Sequence, residues 1–326
     1  MAPPLQSREI ETFLRGKPLQ RRKGVATMTN KMKRKVLVAL DGSDQAFETI
    51  RYLRLLKPFQ AAEIHLFSVL LKVPEHYWDI EKQPNYEQNM RNIQAWQSTQ
   101  EIAIRRYMEE ARQQLHKTGF PENNVHVKIQ ERKAGIARDI LAEAKKGYAA
   151  VVVGRKGSSK LSGIVLGSVA TKLLNHLDFL PLIIVGRCSE TGKILIALDG
   201  SDSSMRTVDY VGETLAGSDY SVTLVHVIRS DDRAFLQKAE ERITPVFAMA
   251  TSHLKSWGFT AKQLDTHIIT GAVSRAASIV EKAQQEGYCT IVVGRKGISK
   301  TRDFFIGRVS NKIVHLARQQ VVWVAH

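Results

Sequence analysis

The sequence predicts an α/β protein: two tandem, open, doubly wound halves, each a five-stranded parallel sheet with helices on both faces. Three observations predict it. Short apolar runs alternate strictly with amphipathic stretches, as in a parallel sheet covered by crossover helices. The phrase ALDGSD stands at 39–44 and again at 197–202. The phrase VVVGRKGSSK at 151–160 returns as IVVGRKGISK at 291–300, with eight of ten positions identical. A repeat this long is a duplicated domain rather than a solenoid unit, and 326 residues suffice for two domains.

The elements follow in order. Residues 36–40 form a continuous apolar run, expected of a strand buried on both faces. Asp41-Gly42-Ser43-Asp44 is a turn into a helix, with Ser43 or Asp44 as N-cap and Ala46, Ile50, Leu53 and Leu56 as its apolar stripe. A second strand is read at 64–71, and then a long helix with Ile104, Met108, Ala111 and Leu115 on one face. Residues 125–129, 149–153 and 182–185 complete the strands, separated by helices at 136–146 and 168–177. The second half repeats the order with strands at 194–198, 222–227, 266–269, 290–293 and 321–324. Domain boundaries are set at 35–187 and 191–326, after a basic tail at 1–34 that reads as disordered. Asp41 to Gly154 spans 113 positions and Asp199 to Gly294 spans 95, so the first half carries a net insertion. It falls near 74–100, with Tyr77, Trp78, Tyr86 and Trp96. It reads either as a partner surface or lid, or as a lengthened helix whose aromatics pack on the other half.

Composition excludes several classes. Net charge is +16, and residues 1–35 hold ten Lys/Arg against two Asp/Glu, half of the excess. The tail reads as a solvated leader rather than a nucleic-acid arm, because no aromatic or helix-turn-helix pattern accompanies it; translation starting at Met28 or Met32 would remove most of it. No apolar run approaches the roughly 18–20 residues of a membrane span, and the N-terminus lacks an apolar signal region. Cys188 and Cys289 stand far apart outside any Cys/His cluster. They predict neither a disulfide nor a zinc site, and a reducing cytoplasm. The histidines show no metal-ligand spacing, so no metal site is expected.

The glycines point to a ligand. Gly154-x2-Gly157-x9-Gly167-Ser168 follows the fourth strand, and Gly294-x2-Gly297-x9-Gly307-Arg308 follows its repeat. Without Cβ, Gly154 and Gly157 let backbone approach a ligand and take φ > 0. A helix opening at Gly167-Ser168 offers free N–H groups and a dipole to an anion. Arg155, Lys156 and Lys160 surround the loop with positive charge. Asp41 ends the first strand and would face the same crevice at the carboxyl ends of the strands.

This combination resembles the universal stress protein family over residues 35–326, as a tandem member. The resemblance implies strand order 3-2-1-4-5 and ATP in the crevice, with Mg2+ as an accompanying ion left open. It implies that Ala39, Leu40 and Asp41 contact adenine or ribose, that Val69 flanks the base, and that Val153, Gly154, Gly157, Gly167, Ser168 and Val169 line ribose and phosphates. In the second half Asp199, Val227, Val293, Gly294, Gly297 and Gly307 match, but Arg308 replaces the expected Ser or Thr. Arg308 either donates to a phosphate or plugs its pocket, so the second site is expected to be altered, weaker or empty. The resemblance also implies antiparallel pairing of the two fifth strands in an intramolecular pseudo-dimer, and more weakly a homodimer of chains. No Walker loop, G-x-G-x-x-G turn or catalytic constellation is present. The expected role is therefore a cytoplasmic ATP-binding stress or regulatory module. The alternatives are a slow ATPase or an enzyme that autophosphorylates on a residue such as Ser168, and a scaffold that binds no nucleotide.

Overall fold

The structure, a computed structural model, describes residues 34–71, 86–157, 165–188, 192–297 and 306–325. Residues 1–33 of the expected basic tail, the insertion up to residue 85, and Lys160 lie outside the described residues.

The first half runs β1 (Lys35–Ala39), α1 (Phe47–Leu55), β2 (Glu63–Leu70), α2 (Tyr86–His116), β3 (Val125–Glu131), α3 (Ile136–Ala144), β4 (Ala150–Gly154), α4 (Ser168–His176) and β5 (Leu182–Val185). The second runs β6 (Lys193–Ala197), α5 (Asp202–Leu215), β7 (Ser221–Val227), α6 (Arg233–Ser256), β8 (Leu264–Ile269), α7 (Arg275–Gln285), β9 (Thr290–Gly294), α8 (Arg308–Leu316) and β10 (Val321–Ala325). Strand and helix alternate because apolar β-rich runs buried on two faces cannot end at a surface; each returns through an amphipathic helix. Ser43 caps a 3-10 turn at Asp44–Ala46 by accepting from the Ala46 N–H, and α1 continues from it. In the second half Ser201 caps α5 directly.

All ten strands lie in one sheet, ordered β3-β2-β1-β4-β5-β10-β9-β6-β7-β8. Each half therefore has the order 3-2-1-4-5, and every pairing is parallel except one. The exception joins the halves: β5 and β10 run antiparallel, with Ile183 opposite Trp323 and Ile184 opposite Val322. An exposed edge is thereby paired inside the molecule.

Two cores cover the two faces, and each is continuous through both halves. Trp323 is fully buried where they join, and its indole Nε1–H donates to the Tyr52 hydroxyl at 2.9 Å. The Tyr52 and Thr290 hydroxyls are 2.9 Å apart, so a tyrosine of α1 is tied to two strands of the other half.

Three expectations need correction. Cys188 and Cys289 form a disulfide between the halves, with Cα atoms 5.6 Å apart across a sequence separation of 101. The antiparallel β5–β10 pair brings the end of β5 to the start of β9, a proximity no spacing in the chain reveals. The insertion does lengthen the helix: α2 has 31 residues against 24 in α6. Its aromatic Trp96, however, is left 47% exposed. Tyr77 and Trp78 lie outside the described residues. Finally, the sheet brings together potential metal ligands that looked scattered. His65 on β2 lies beside His126 on β3, and with Glu63 their ligand atoms all lie within 4.8 Å.

Candidate functional site

The two repeated phrases meet in space. Asp41 follows β1, and its Oδ1 accepts from the Ser43 N–H at 3.1 Å and the Ser43 hydroxyl at 2.7 Å. Its Oδ2 faces Gly157, so closely that a Cβ there would collide with the carboxylate. Asp199 and Gly297 repeat the contact. The turn between strand and helix needs its glycine: Gly42 sits at φ 76° and Gly200 at φ 81°. The loop glycines 154, 157, 294 and 297 do not adopt positive φ, contrary to expectation. They are glycine because other atoms approach them. A Cβ on Gly294 would lie 2.8 Å from Ser203 Oγ, and one on Gly154 would lie 3.3 Å from the Lys156 carbonyl.

The loop then closes back on itself. The Gly167 N–H donates to the Arg155 carbonyl at 2.8 Å, and the Gly307 N–H to the Arg295 carbonyl at the same distance. This sets the start of α4 beside Gly157, with Ser168 exposed, Val169 half-buried and Leu166 and Ala170 anchored in the core. Ala39, Leu40 and Val153 are buried at the strand ends, while Val69 is partly open. The described residues thus gather Asp41, Gly157 and the α4 N-terminus at the carboxyl ends of β1 and β4. That arrangement presents one carboxylate, a backbone cradle without side chains and a positive helix end.

Sequence reasoning missed Tyr107. It lies on α2, is 7% exposed, stacks on Phe47 at 4.4 Å, and its hydroxyl has no hydrogen-bond partner among the described residues. Burial raises its pKa, and the charges of Asp41 and Asp44 raise it further, so it stays a neutral donor beside the Asp41 turn. The matching position of α6, counted back from Phe259 as Tyr107 is from Phe120, is Val246. Only register across the fold, not the local sequence, singles this tyrosine out.

The second half also differs from the first at a position the sequence pattern did not single out. Arg308 is exposed at the first position of α8, so its bulk is not buried in the loop. Arg275 reaches the carboxyl end of β7: its Nε donates to the Val227 carbonyl at 3.3 Å, and Val227 is buried where Val69 is not. The first half has Ile136 at the position of Arg275.

Arg155 is not a solvated loop charge. It is 5% exposed and its Nη1 donates to the Val314 carbonyl near the end of α8 in the opposite half. Arg295, 2% exposed, returns the contact to the Leu174 carbonyl of α4 at 2.5 Å. Burial lowers the pKa of both, Arg155 to about 10, and each remains charged at neutral pH. Cations at helix C-termini are electrostatically favoured, so the repeated Gly-Arg-Lys-Gly phrase serves the junction as well as the loop.

A profile described as the universal stress protein family matches residues 32–186 and 190–325. The chain is 24% identical over 232 residues to a universal stress protein of Mycolicibacterium smegmatis, covering 69% of this chain and 78% of that one. It superposes on a universal stress protein from Archaeoglobus fulgidus with TM-score 0.59 at 19% identity, covering 90% of this chain and 98% of that chain. A putative universal stress protein from Pseudomonas aeruginosa gives TM-score 0.56 at 17% identity, covering 90% and 93%.

Proposed function

Because the chain belongs to the universal stress protein family, we propose that it is a regulatory nucleotide-binding module that holds ATP in the crevice of its first half. The contact between Asp41 and Gly157 carries this reading. It keeps a carboxylate beside a loop that tolerates no side chain, a cradle that a ribose and phosphates would fill. In the proposal Asp41, with the backbone of Ala39 and Leu40, accepts from the adenine or ribose. Val69 flanks the base, and Tyr107 supplies a hydroxyl. Val153, Gly154, Gly157, Gly167, Ser168 and Val169 surround ribose and phosphates, with the α4 N-terminus as the anion anchor. Mg2+ would accompany the phosphates and neutralise part of their charge. The second site, closed by Arg275 against Val227, binds more weakly or not at all.

No helix among the described residues is long and apolar enough to cross a membrane. A cytoplasmic setting belongs to the proposal, with the Cys188–Cys289 bond then subject to the thiol poise of that compartment. A homodimer of chains also belongs to it, but on a surface other than β5, whose edge is already paired.

The test incubates the pure full chain with labelled ATP and follows retention and turnover together. Retention of about one nucleotide per chain without turnover is the expected result, weakened at least about tenfold by Gly157→Val, whose Cβ displaces the Asp41 carboxylate. Fast turnover, or stable label on a residue such as Ser168, would replace the regulatory reading with an enzymatic one. Absence of retention would remove the nucleotide.

A further inference from the structure

Glu63, His65 and His126 stand at the amino ends of β2 and β3, whereas the crevice lies at the carboxyl ends of the strands. Glu63 and His65 are two residues apart on β2 and so share a face of the sheet. His126 is the register partner of His65 on β3, the edge strand, and the two imidazole centroids are 4.8 Å apart. The sheet thus gathers two nitrogen ligands and one carboxylate, whose ligand atoms all lie within 4.8 Å of one another. The His65 Nε2 is closed to solvent and has no hydrogen-bond partner among the described residues. Glu63 Oε2 lies 3.6 Å from it, beyond hydrogen-bond range. Two ligands held at about 2.0–2.2 Å from one ion stand roughly 3–4 Å apart, so this gap is the width of a shared metal ion.

The second half shows what these positions do without such ligands. By strand register Ser221, Thr223 and Asp265 hold the places of Glu63, His65 and His126. There the Tyr288 hydroxyl, two residues before β9, donates to Thr223 Oγ1 at 2.8 Å and completes an ordinary hydrogen bond. Tyr148, two residues before β4, instead donates to Glu143 at 3.0 Å and sets only its ring edge-on to His65, at 5.2 Å between centroids. Lys128, next along the same face of β3, is likewise taken by Glu143 at 2.7 Å. Neither therefore satisfies His65, and a buried nitrogen left unpaired calls for a partner. Lys35 adds a positive charge to this neighbourhood, which limits the affinity for a cation without removing a ligand.

We propose that Glu63, His65 and His126 bind a borderline divalent transition-metal ion, Zn2+ foremost, which ties the edge strand β3 to β2. Two imidazoles and one carboxylate suit such an ion, whereas Mg2+ and Ca2+ favour oxygen ligands. Three protein ligands leave a fourth position to water. His126 is exposed and the Glu63 side chain is 27% exposed, so both can turn to admit the ion and close on it. The site is independent of the nucleotide reading and of the Mg2+ that belongs to it.

Zn2+ binding to the untagged full chain is measured without nucleotide, by competition with a chromogenic chelator, for wild type, His126→Ala, Glu63→Gln and Asp265→Ala. His126 and Asp265 are exposed, so neither substitution opens the core. The expected result is about one Zn2+ per chain, held at least about tenfold less tightly by His126→Ala and Glu63→Gln, since even residues that merely brace metal ligands are worth that much. Asp265→Ala binds as wild type does, and excess Mg2+ leaves the bound Zn2+ in place. No Zn2+ binding, equal binding by wild type and either ligand variant, or displacement by Mg2+ overturns the proposal. With ATP absent and Asp41 and Gly157 untouched, those outcomes leave the labelled-ATP test of the crevice standing by itself.

Discussion

Glu143 on α3 is a nearly buried carboxylate facing three donors. Lys128 approaches it at 2.7 Å, Lys146 at 2.8 Å and the Tyr148 hydroxyl at 3.0 Å. Burial alone would raise its pKa, but the three hydrogen bonds prevail and hold it at about 2. Because the folded pKa lies below the unfolded one, the stability it lends is complete above about pH 4.5 and is lost as pH falls toward 2. Solvent around the two lysines limits that contribution to about 2 kcal/mol. Urea midpoints measured from pH 6 to pH 2.5 should therefore fall less steeply for Glu143→Gln than for wild type. At this scale the sequence was legible where a residue's role is local. Ser43 reads as a cap and Gly42 as a turn because both obey rules spanning three or four positions. Arg155 was not legible, since its partner is a carbonyl 159 residues away, and a charged loop residue next to glycines looks like a phosphate ligand whichever way it turns.

Among the elements, the strands were the most legible, because burial on two faces leaves uninterrupted apolar runs. The helices were nearly as clear. Ile104, Met108, Ala111 and Leu115 all lie buried on α2, as their spacing of three and four requires. What the pattern does not record is where a helix leaves its support. From residue 91 to 103 α2 is mostly exposed, including Trp96 at 47% and Ile102 at 67%. Two substitutions in the one helix should thus separate. Met108→Ala should cost about 2–5 kcal/mol in denaturant titrations, and Trp96→Ala less than about 0.5 kcal/mol. A large loss at Trp96 would show that the exposed turns carry packing after all.

For the molecule as a whole, the order 3-2-1-4-5 in each half followed from the family resemblance, and the antiparallel seam from two β5-type edges in one chain. The disulfide could not be foreseen, for it depends on that seam. It closes a long loop, so reduction or Cys188→Ser should lower stability by about 2–4 kcal/mol, read as a shift in urea midpoint with and without reductant. The halves should nonetheless stay together, because Trp323, Tyr52 and Thr290 lock the seam independently of sulfur. No shift on reduction would mean that the bond adds nothing the seam does not already supply. The continuous sheet has a last consequence, one of stoichiometry. When two such domains associate as separate subunits, dilution parts them, and unlike partners can be exchanged or mismatched. Here the half with Tyr107 and an open Val69 is permanently wed to the half with Arg275 over Val227. Every copy of the protein is an obligate one-to-one pairing of unlike halves, whose ratio neither expression level nor dilution can alter.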